Sequence, residues 1–237
     1  MKPILFNTQM IRSIIDGRKT VTRRIVKTNK DFRFGISSLS EFDKCCQIAD
    51  HKISNYPLYQ GGTSVPCIEL IKSDPGIAIF VKSPIIVGDI LYVRETWCKG
   101  SIAYGEESDG REAPYVEQDN LGDSILFKEE LIRDDIGINE VIWEPSIFMP
   151  TAYARIFLKV IGVRCERLKD INSINHDDIL KEGWPFLPTQ TTYNHSPLAD
   201  FISLWDNIAQ EENRFDSNPW VWVIEFEKCD KPRMEQK

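Results

Sequence analysis

Hydrophobic residues follow a helical spacing in two well separated stretches of the chain. The first stripe is formed by Met10, Ile11, Ile14 and Ile15. Residues three and four positions apart lie on one face of a helix, so this stripe predicts a short amphipathic helix. Thr8 is the predicted N-cap, and Gly17 stands where a helix ends in a left-handed residue.

The second stripe predicts the clearest helix of the chain. It is formed by Leu198, Phe201, Ile202, Trp205, Ile208 and Ala209. Pro197 follows Ser196 and suits the first helical position, where its missing N–H leaves no hydrogen bond unmade. The apolar stripe indicates a helix that packs against the core.

A shorter helix is predicted from its end signals. Asn175 is a predicted N-cap, and Gly183 is the residue that ends the helix. Asp177 and Asp178 lie in the first turn, where the helix dipole favours negative charge. Glu182 lies beside the last carbonyls, where the dipole disfavours a carboxylate. We therefore expect the pKa of Glu182 to shift upward.

Apolar runs of strand length predict the sheet. They lie at 3–6, 77–81, 90–93, 152–168 and 220–226. Gly88 and Asp89 predict the turn before 90–93, and Gly162 predicts that 152–168 is either a pair of strands or one bent strand. Trp220 and Trp222 recur at strand period, which favours packing in the core over stacking on bases.

These elements predict one domain over 1–228 and a frayed tail at 229–237. The hydrophobic period is lost at about 28–75 and 99–140, which are predicted to be peripheral insertions. The first insertion is expected to contain a short helix at 40–48. Within the second, the acidic stretch 100–123 is either a solvated loop or a lid that competes with an anionic ligand.

Composition limits the partners that the protein can have. The chain has 237 residues, of which 42% are hydrophobic and 27% charged, which is typical of a globular protein. Its formal net charge of −7 argues against a long nucleic-acid track, because non-specific polyanion binding depends on many Lys and Arg contacts. A local pocket for a nucleoside or for one RNA element is compatible with this charge.

The sequence also indicates a compartment. The amino-terminal segment becomes polar too soon for a signal peptide, and no apolar run reaches membrane-spanning length. The six cysteines include no CxxC pair, and the three histidines show no metal-ligand spacing with them. We predict a cytoplasmic protein without membrane contact, metal or cofactor. A monomer is favoured, although the oligomeric state stays open.

The first predicted helix runs into a basic segment. Four positive charges fall within seven residues of this acidic chain, at Arg18, Lys19, Arg23 and Arg24. The segment is either a solvated face or a contact for an anion or nucleic acid. In one regular strand, Lys19 and Thr22 would point to opposite faces about 10 Å apart. They can share a site only if the chain turns near Lys19 or Thr20.

Three motifs and two strands follow one another in a characteristic order. The motifs are GRKTVTRR at 17–24, GDILYVRETW at 88–97 and DILKEGW at 178–184, and the strands lie around 154–163 and 222–226. Together they resemble the ASCH domain family. The resemblance implies a mixed α+β fold, namely a PUA-like β-barrel with flanking helices and peripheral loop insertions. It also implies recognition of RNA or a modified nucleoside, and the length is similar to that of larger members from phages and prophages.

The resemblance further implies an active site. Lys19, Thr22 and Glu182 resemble, in this order, the catalytic residues of small bacterial ASCH amidohydrolases that deacetylate N4-acetylcytidine. In that chemistry the lysine is the base, the threonine is the nucleophile and the glutamate shuttles the proton. A threonine hydroxyl needs a neighbouring base, and a lysine can be that base when burial or nearby arginines disfavour its charge.

Two other hypotheses stand beside the hydrolase. One is a non-catalytic module that binds RNA or a modified nucleotide, and the other is a structural or assembly accessory of a phage. The candidate ligand-binding residues are Arg23, Arg24, Glu95, Trp97 and Arg155. Glu95 has the alternative interpretation of a salt bridge with a basic residue.

Overall fold

The structure, a computed structural model, describes residues 1–26, 52–57, 64–71, 78–106, 111–118, 124–139, 141–172, 177–184 and 196–232. These residues form a mixed α+β protein with mostly sheet and few helices, as the sequence predicts. No helix in the described part of the chain has the length and apolar character needed to span a membrane.

The strands of the described residues fall into four sheets. In chain order they are β1 (Lys2–Leu5), β2 (Val21–Ile25), β3 (Lys52–Pro57), β4 (Ser64–Ile71), β5 (Ala78–Lys82), β6 (Ile90–Arg94), β7 (Trp97–Lys99), β8 (Ser101–Glu106), β9 (Glu112–Glu117), β10 (Ile125–Phe127), β11 (Phe157–Arg167) and β12 (Trp220–Cys229). The largest sheet has the order β1-β6-β11-β12-β2, with β1 and β6 parallel and the other neighbours antiparallel.

The helices of the described residues are short. They are α1 (Thr8–Ile15), α2 (Lys128–Arg133), α3 (Asp177–Lys181) and α4 (Pro197–Ile208). The N-cap of α1 is Asn7 and not Thr8, because the extended Asn7 accepts a hydrogen bond from the Met10 N–H at 2.8 Å and Thr8 is already helical. Gly17 adopts a φ of +76°, as predicted, and Pro197 occupies the first turn of α4. Asn175 lies outside the described residues.

The paired strands β11 and β12 form the centre of the large sheet. The strand predicted at 152–168 begins only at Phe157, because 151–153 forms a 3₁₀ turn, and its register shifts between Val160 and Gly162. The prediction of one bent strand is thus confirmed. Trp220 and Trp222 are buried, as predicted. Both faces of β12 contribute to hydrophobic clusters, with Trp222 and Ile224 on one face and Val221 and Val223 on the other.

Among the described residues the large sheet remains open between its outer strands, β1 and β2. A closed barrel, which the sequence predicted, is not found there. The two edges nevertheless meet through a side chain, because an Arg24 Nη2 donates a hydrogen bond to the Leu5 carbonyl at 2.6 Å. The gap between the edge strands is the place where the candidate site lies.

Both predicted insertions contain more regular structure than expected. The first includes β3 and β4, which form an antiparallel sheet with β5. The predicted helix at 40–48 lies outside the described residues. Among the described residues of the acidic stretch 100–123, β8 and β9 form an antiparallel pair instead of an irregular loop. Val116 of β9 donates a hydrogen bond to the Gly137 carbonyl, and Gln118 donates one to the Ile142 carbonyl. Glutamates at the ends of β8 and β9 made the alternation of apolar and polar residues in these strands harder to recognise.

Candidate functional site

The basic segment changes its backbone partner between Lys19 and β2. Lys19 forms an antiparallel bridge with Glu182, and the Thr20 N–H donates to the Lys181 carbonyl at 2.9 Å. From Val21 onward the chain pairs instead with β12. The chain therefore breaks its strand at Thr20, which is the condition under which Lys19 and Thr22 can belong to one site.

Gly183, just after α3, packs closely against α1. It ends α3 with a φ of +103°, a conformation that favours glycine. Its carbonyl accepts hydrogen bonds from the Ser13 hydroxyl at 3.0 Å and from an Arg18 Nη1 at 2.7 Å. A Cβ atom at this position would lie 2.8 Å from the Cβ of Ser13. The predicted glycine is thus required both by its backbone angle and by its neighbours.

Lys19, Arg23 and Glu182 form a buried ion triplet. The Lys19 ammonium donates to Glu182 Oε2 at 2.6 Å and to the Glu182 carbonyl at 2.8 Å. Arg23 donates from Nη1 to Glu182 Oε1 at 2.9 Å. The side chains of Lys19 and Arg23 are fully inaccessible to solvent, and that of Glu182 is 5% exposed. Each carboxylate oxygen of Glu182 therefore has its own cation.

This triplet reverses the expected pKa shift of Glu182. Burial alone would raise the pKa of this carboxyl group, but the charges and hydrogen bonds of Lys19 and Arg23 outweigh burial and lower it. The predicted upward shift is wrong, because two cations in direct contact exceed the effect of the helix dipole. For Lys19, burial lowers the pKa of the amine, and Glu182 opposes this shift only in part.

The triplet continues into a network of charged side chains. Arg23 also donates to Glu166 Oε1 at 2.8 Å and to Asp178 Oδ2 at 3.2 Å. Arg164 contacts Glu166, Asp178 and, closest of all, Glu225. The sequence did not predict Glu166 and Asp178 as partners of Arg23. The signal was present in β11, where Arg164 and Glu166 are two positions apart and so share one face of the strand.

A cavity of about 170 Å³ lies beside the triplet, in the gap between β1 and β2. Its polar wall is formed by Thr22, Arg23, Arg24 and Glu182, and the opposite walls include Phe6, Met10, Phe201, Leu204 and Trp205. Lys19 lies outside this lining, behind the Glu182 carboxylate. Within the described residues the Thr22 hydroxyl has no hydrogen-bond partner, so it is available to a ligand.

The structure places the other predicted binding residues in a second cluster. Arg155 donates to both carboxylate oxygens of Glu95, at 3.0 and 2.8 Å, and also to Glu130 at 3.2 Å. Burial raises the pKa of Glu95, and Arg155 opposes this shift. Glu95 thus forms the salt bridge that its alternative interpretation requires. Trp97 is buried and packs edge-on against Tyr153, with ring centroids 5.1 Å apart.

The predicted residues therefore separate into two groups. One contains Lys19, Thr22, Arg23, Arg24 and Glu182 around the cavity, and the other contains Glu95, Trp97 and Arg155 in the second cluster. The cavity offers a hydroxyl group, a carboxylate linked to a buried amine and two guanidinium groups. In the described part of the chain no group of three or more His, Cys, Asp or Glu side chains is arranged to hold a metal ion.

Comparison of the chain with protein-family models, with curated proteins and with solved structures returned no match. The function is therefore inferred from the geometry of the cavity and from the residues that line it.

Proposed function

We propose that the protein is an amidohydrolase that removes an acyl group from a modified nucleoside such as N4-acetylcytidine. One observation carries the proposal: the Thr22 hydroxyl and the Glu182 carboxylate line the same cavity, and Glu182 is bonded to the buried amine of Lys19. This arrangement supports a threonine nucleophile, a glutamate proton shuttle and a lysine base.

In the first step the Thr22 oxygen attacks the acyl carbonyl carbon, and the carbonyl π electrons move to the oxygen. The proton of the Thr22 hydroxyl passes through Glu182 Oε2 to Lys19 Nζ, which lies 2.6 Å from it. Burial lowers the pKa of Lys19 and so favours the neutral amine that can accept a proton, whereas the charged Glu182 favours the protonated amine. Arg23 holds Glu182 Oε1 and leaves Oε2 for the exchange.

In the second step the tetrahedral intermediate expels the exocyclic amine of the base. The C–N bond breaks, and the leaving nitrogen receives the proton that Lys19 returns through Glu182. An ester on Thr22 remains, and water attacks its carbonyl carbon with the same pair of groups as base. The products are a carboxylic acid, the deacylated nucleoside and a restored Thr22 hydroxyl.

The size and lining of the cavity support a small substrate. Its volume of about 170 Å³ is below the roughly 300–1,000 Å³ of pockets for drug-sized ligands. Such a volume suits an acyl group and part of one heterocyclic ring. The aromatic side chains of Phe6, Phe201 and Trp205 supply apolar surface for a ring. A cavity of this volume is too small to enclose a strand of RNA.

We also propose that the open sheet is a variant of the PUA-like barrel of ASCH domains and that the protein acts in the cytoplasm. The hydrogen bond from Arg24 to the Leu5 carbonyl supports the barrel, because it links the two edge strands that a closed barrel would join. The rings of Phe6 and Phe226 add an aromatic contact near the gap between β1 and β2, with centroids 6.2 Å apart.

A second candidate function is binding of the same class of nucleoside without turnover. The hydrogen bonds of Lys19 favour it, since both are made to Glu182 and the amine lies outside the cavity lining. An amine held as a structural cation in this way would leave Thr22 without a base. The two candidates differ only in whether the substrate is converted.

The test is hydrolysis of N4-acetylcytidine by the purified protein and two variants of Thr22. Thr22→Val removes the hydroxyl but keeps the branched shape, and we expect turnover to fall by about a thousandfold or more. Thr22→Ser keeps the hydroxyl and should retain most activity. Equal turnover by Thr22→Val and the wild type would exclude the threonine nucleophile. Binding of cytidine without any turnover by the wild type would favour the second candidate.

A further inference from the structure

Arg24 differs from the other cations near the cavity in its partners. Lys19 contacts the carboxylate of Glu182, and Arg23 contacts the carboxylates of Glu182, Glu166 and Asp178. Among the described residues no carboxylate lies within ion-pair distance of Arg24. Its guanidinium group contacts the Leu5 carbonyl and lies 5.1 Å from the centroid of the Phe6 ring. The positive charge of Arg24 therefore lines the cavity without a carboxylate in direct contact, and the charge of Glu182 acts on it only from a distance.

The charge balance of the cavity wall is positive as a consequence. The residues that line the cavity include two cations, Arg23 and Arg24, and one carboxylate, Glu182. Glu166 and Asp178 lie outside the lining, and both are shared with Arg164. In low-dielectric surroundings such an imbalance attracts negative charge far more strongly than it would in water.

Arg24 also has the geometry to reach a ligand that contacts Thr22. The two residues are two positions apart in β2, so their side chains leave the same face of the strand, with Cα atoms about 6.6 Å apart. A guanidinium group carries five N–H donors, and the hydrogen bond to Leu5 uses one of them. The remaining donors can form a forked pair with an anionic group.

We propose that Arg24 is the anion-recognising residue of the cavity and that the ligand carries a phosphate or carboxylate group beside its ring. The inference rests on the proposed function in taking this cavity as the substrate site. The preferred substrate is then not a neutral acylated nucleoside. It is an acylated nucleotide, or an acylated ring that bears a carboxylate. Arg23 and Arg155 do not share this role, because their guanidinium groups are bonded to carboxylates.

Binding is measured first, because it does not require turnover. Calorimetric titration compares cytidine 5′-monophosphate with cytidine for a phosphate, and benzoate with benzamide for a carboxylate. We expect the anionic member of at least one pair to bind about tenfold or more tightly. The preference should weaken as salt is raised, since the interaction is between charges. The pair that shows the preference identifies the anionic group.

Variants of Arg24 connect this preference to the residue. Arg24→Gln should reduce it to about twofold or less, and Arg24→Lys should keep part of it, because lysine retains the charge but loses the forked geometry. Arg133→Gln is the matched control, since it removes the same charge from the surface helix α2. Circular dichroism confirms that each variant is folded. Equal binding of both members of each pair, or an anion preference unchanged in Arg24→Gln, would overturn the inference.

Kinetics separates this inference from the proposed hydrolase. With N4-acetylcytidine 5′-monophosphate, Arg24→Gln should raise KM at least about tenfold and leave kcat within about threefold. An equal loss of kcat on the nucleoside and on the nucleotide would place Arg24 at the reacting carbonyl and overturn anion recognition. Binding that depends on Arg24 without hydrolysis of either compound would sustain the anion site and refute the hydrolase.

Discussion

The buried carboxylate of Glu182 is the residue on which the stability of the site depends. It compensates Lys19 and Arg23, whose side chains have no access to solvent. Glu182→Gln preserves the shape but removes the charge, and a buried ion pair that loses one partner costs about 3–5 kcal/mol. We expect the free energy of unfolding to fall by this amount in urea titrations. A loss below about 1 kcal/mol would mean that the triplet behaves as a surface ion pair.

The same carboxylate predicts how stability depends on pH. The folded pKa of Glu182 lies below its ordinary value of 4.5, so between the two values the unfolded chain binds more protons than the folded chain. The contribution of Glu182 is therefore complete above 4.5 and is lost as the pH falls through the folded pKa. Urea unfolding at neutral pH and at about pH 4 should show a smaller acid-induced loss in Glu182→Gln than in the wild type.

At the level of secondary-structure elements, the close packing of α1 against the end of α3 depends on a glycine at position 183. A Cβ atom there would lie 2.8 Å from the Cβ of Ser13 and 3.1 Å from the Cβ of Lys19. Gly183→Ala should therefore add an overpacking cost of about 1–3 kcal/mol to the cost of its positive φ. It should also reduce ligand binding in the cavity, because Lys19 and Glu182 cannot keep their separation.

Gly17 provides the control for this substitution. It also has a positive φ, +76°, but nothing lies within 4 Å of the position of its Cβ atom. Gly17→Ala should cost only the backbone strain of about 1–2 kcal/mol and leave ligand binding unchanged. Urea unfolding and calorimetry of both variants provide the comparison. Equal effects on binding would show that the close approach at Gly183 does not position the site.

For the whole molecule, β12 is the strand that unites the two main hydrophobic clusters. Trp222 and Ile224 belong to one cluster, and Val221 and Val223 belong to the other. Ile224 is 1% exposed, so Ile224→Ala should lower the free energy of unfolding by about 2–5 kcal/mol. Ile161→Ala is the control, because Ile161 is 50% exposed in the neighbouring strand β11. This variant should change the free energy of unfolding by about 0.5 kcal/mol or less. Similar losses at both positions would argue against this division of the core.

Much of the fold could be predicted because its signals are local. The glycines at positions 17 and 183, the proline that begins α4 and the tryptophans of β12 all act through their own backbone or the residues beside them. The pairing of β8 with β9 was missed because the acidic residues of 100–123 favoured a solvated loop or a lid over strands. Open or closed topology of the sheet also depends on pairing between distant strands, which no local pattern specifies.

Capping, periodicity and charge are properties of short segments, so they were enough to predict α1, α3 and α4, most strands of the large sheet, the mixed α+β class and a set of candidate residues. Which of these residues meet depends on contacts between distant segments and became known only from the fold. Lys19 and Glu182 are 163 positions apart, yet their contact lowers the pKa of Glu182 against the expectation from its helix. Tertiary packing likewise neutralised Arg23 and Arg155 with carboxylates and left Arg24 facing the cavity, because desolvated charges respond to their nearest neighbours in space.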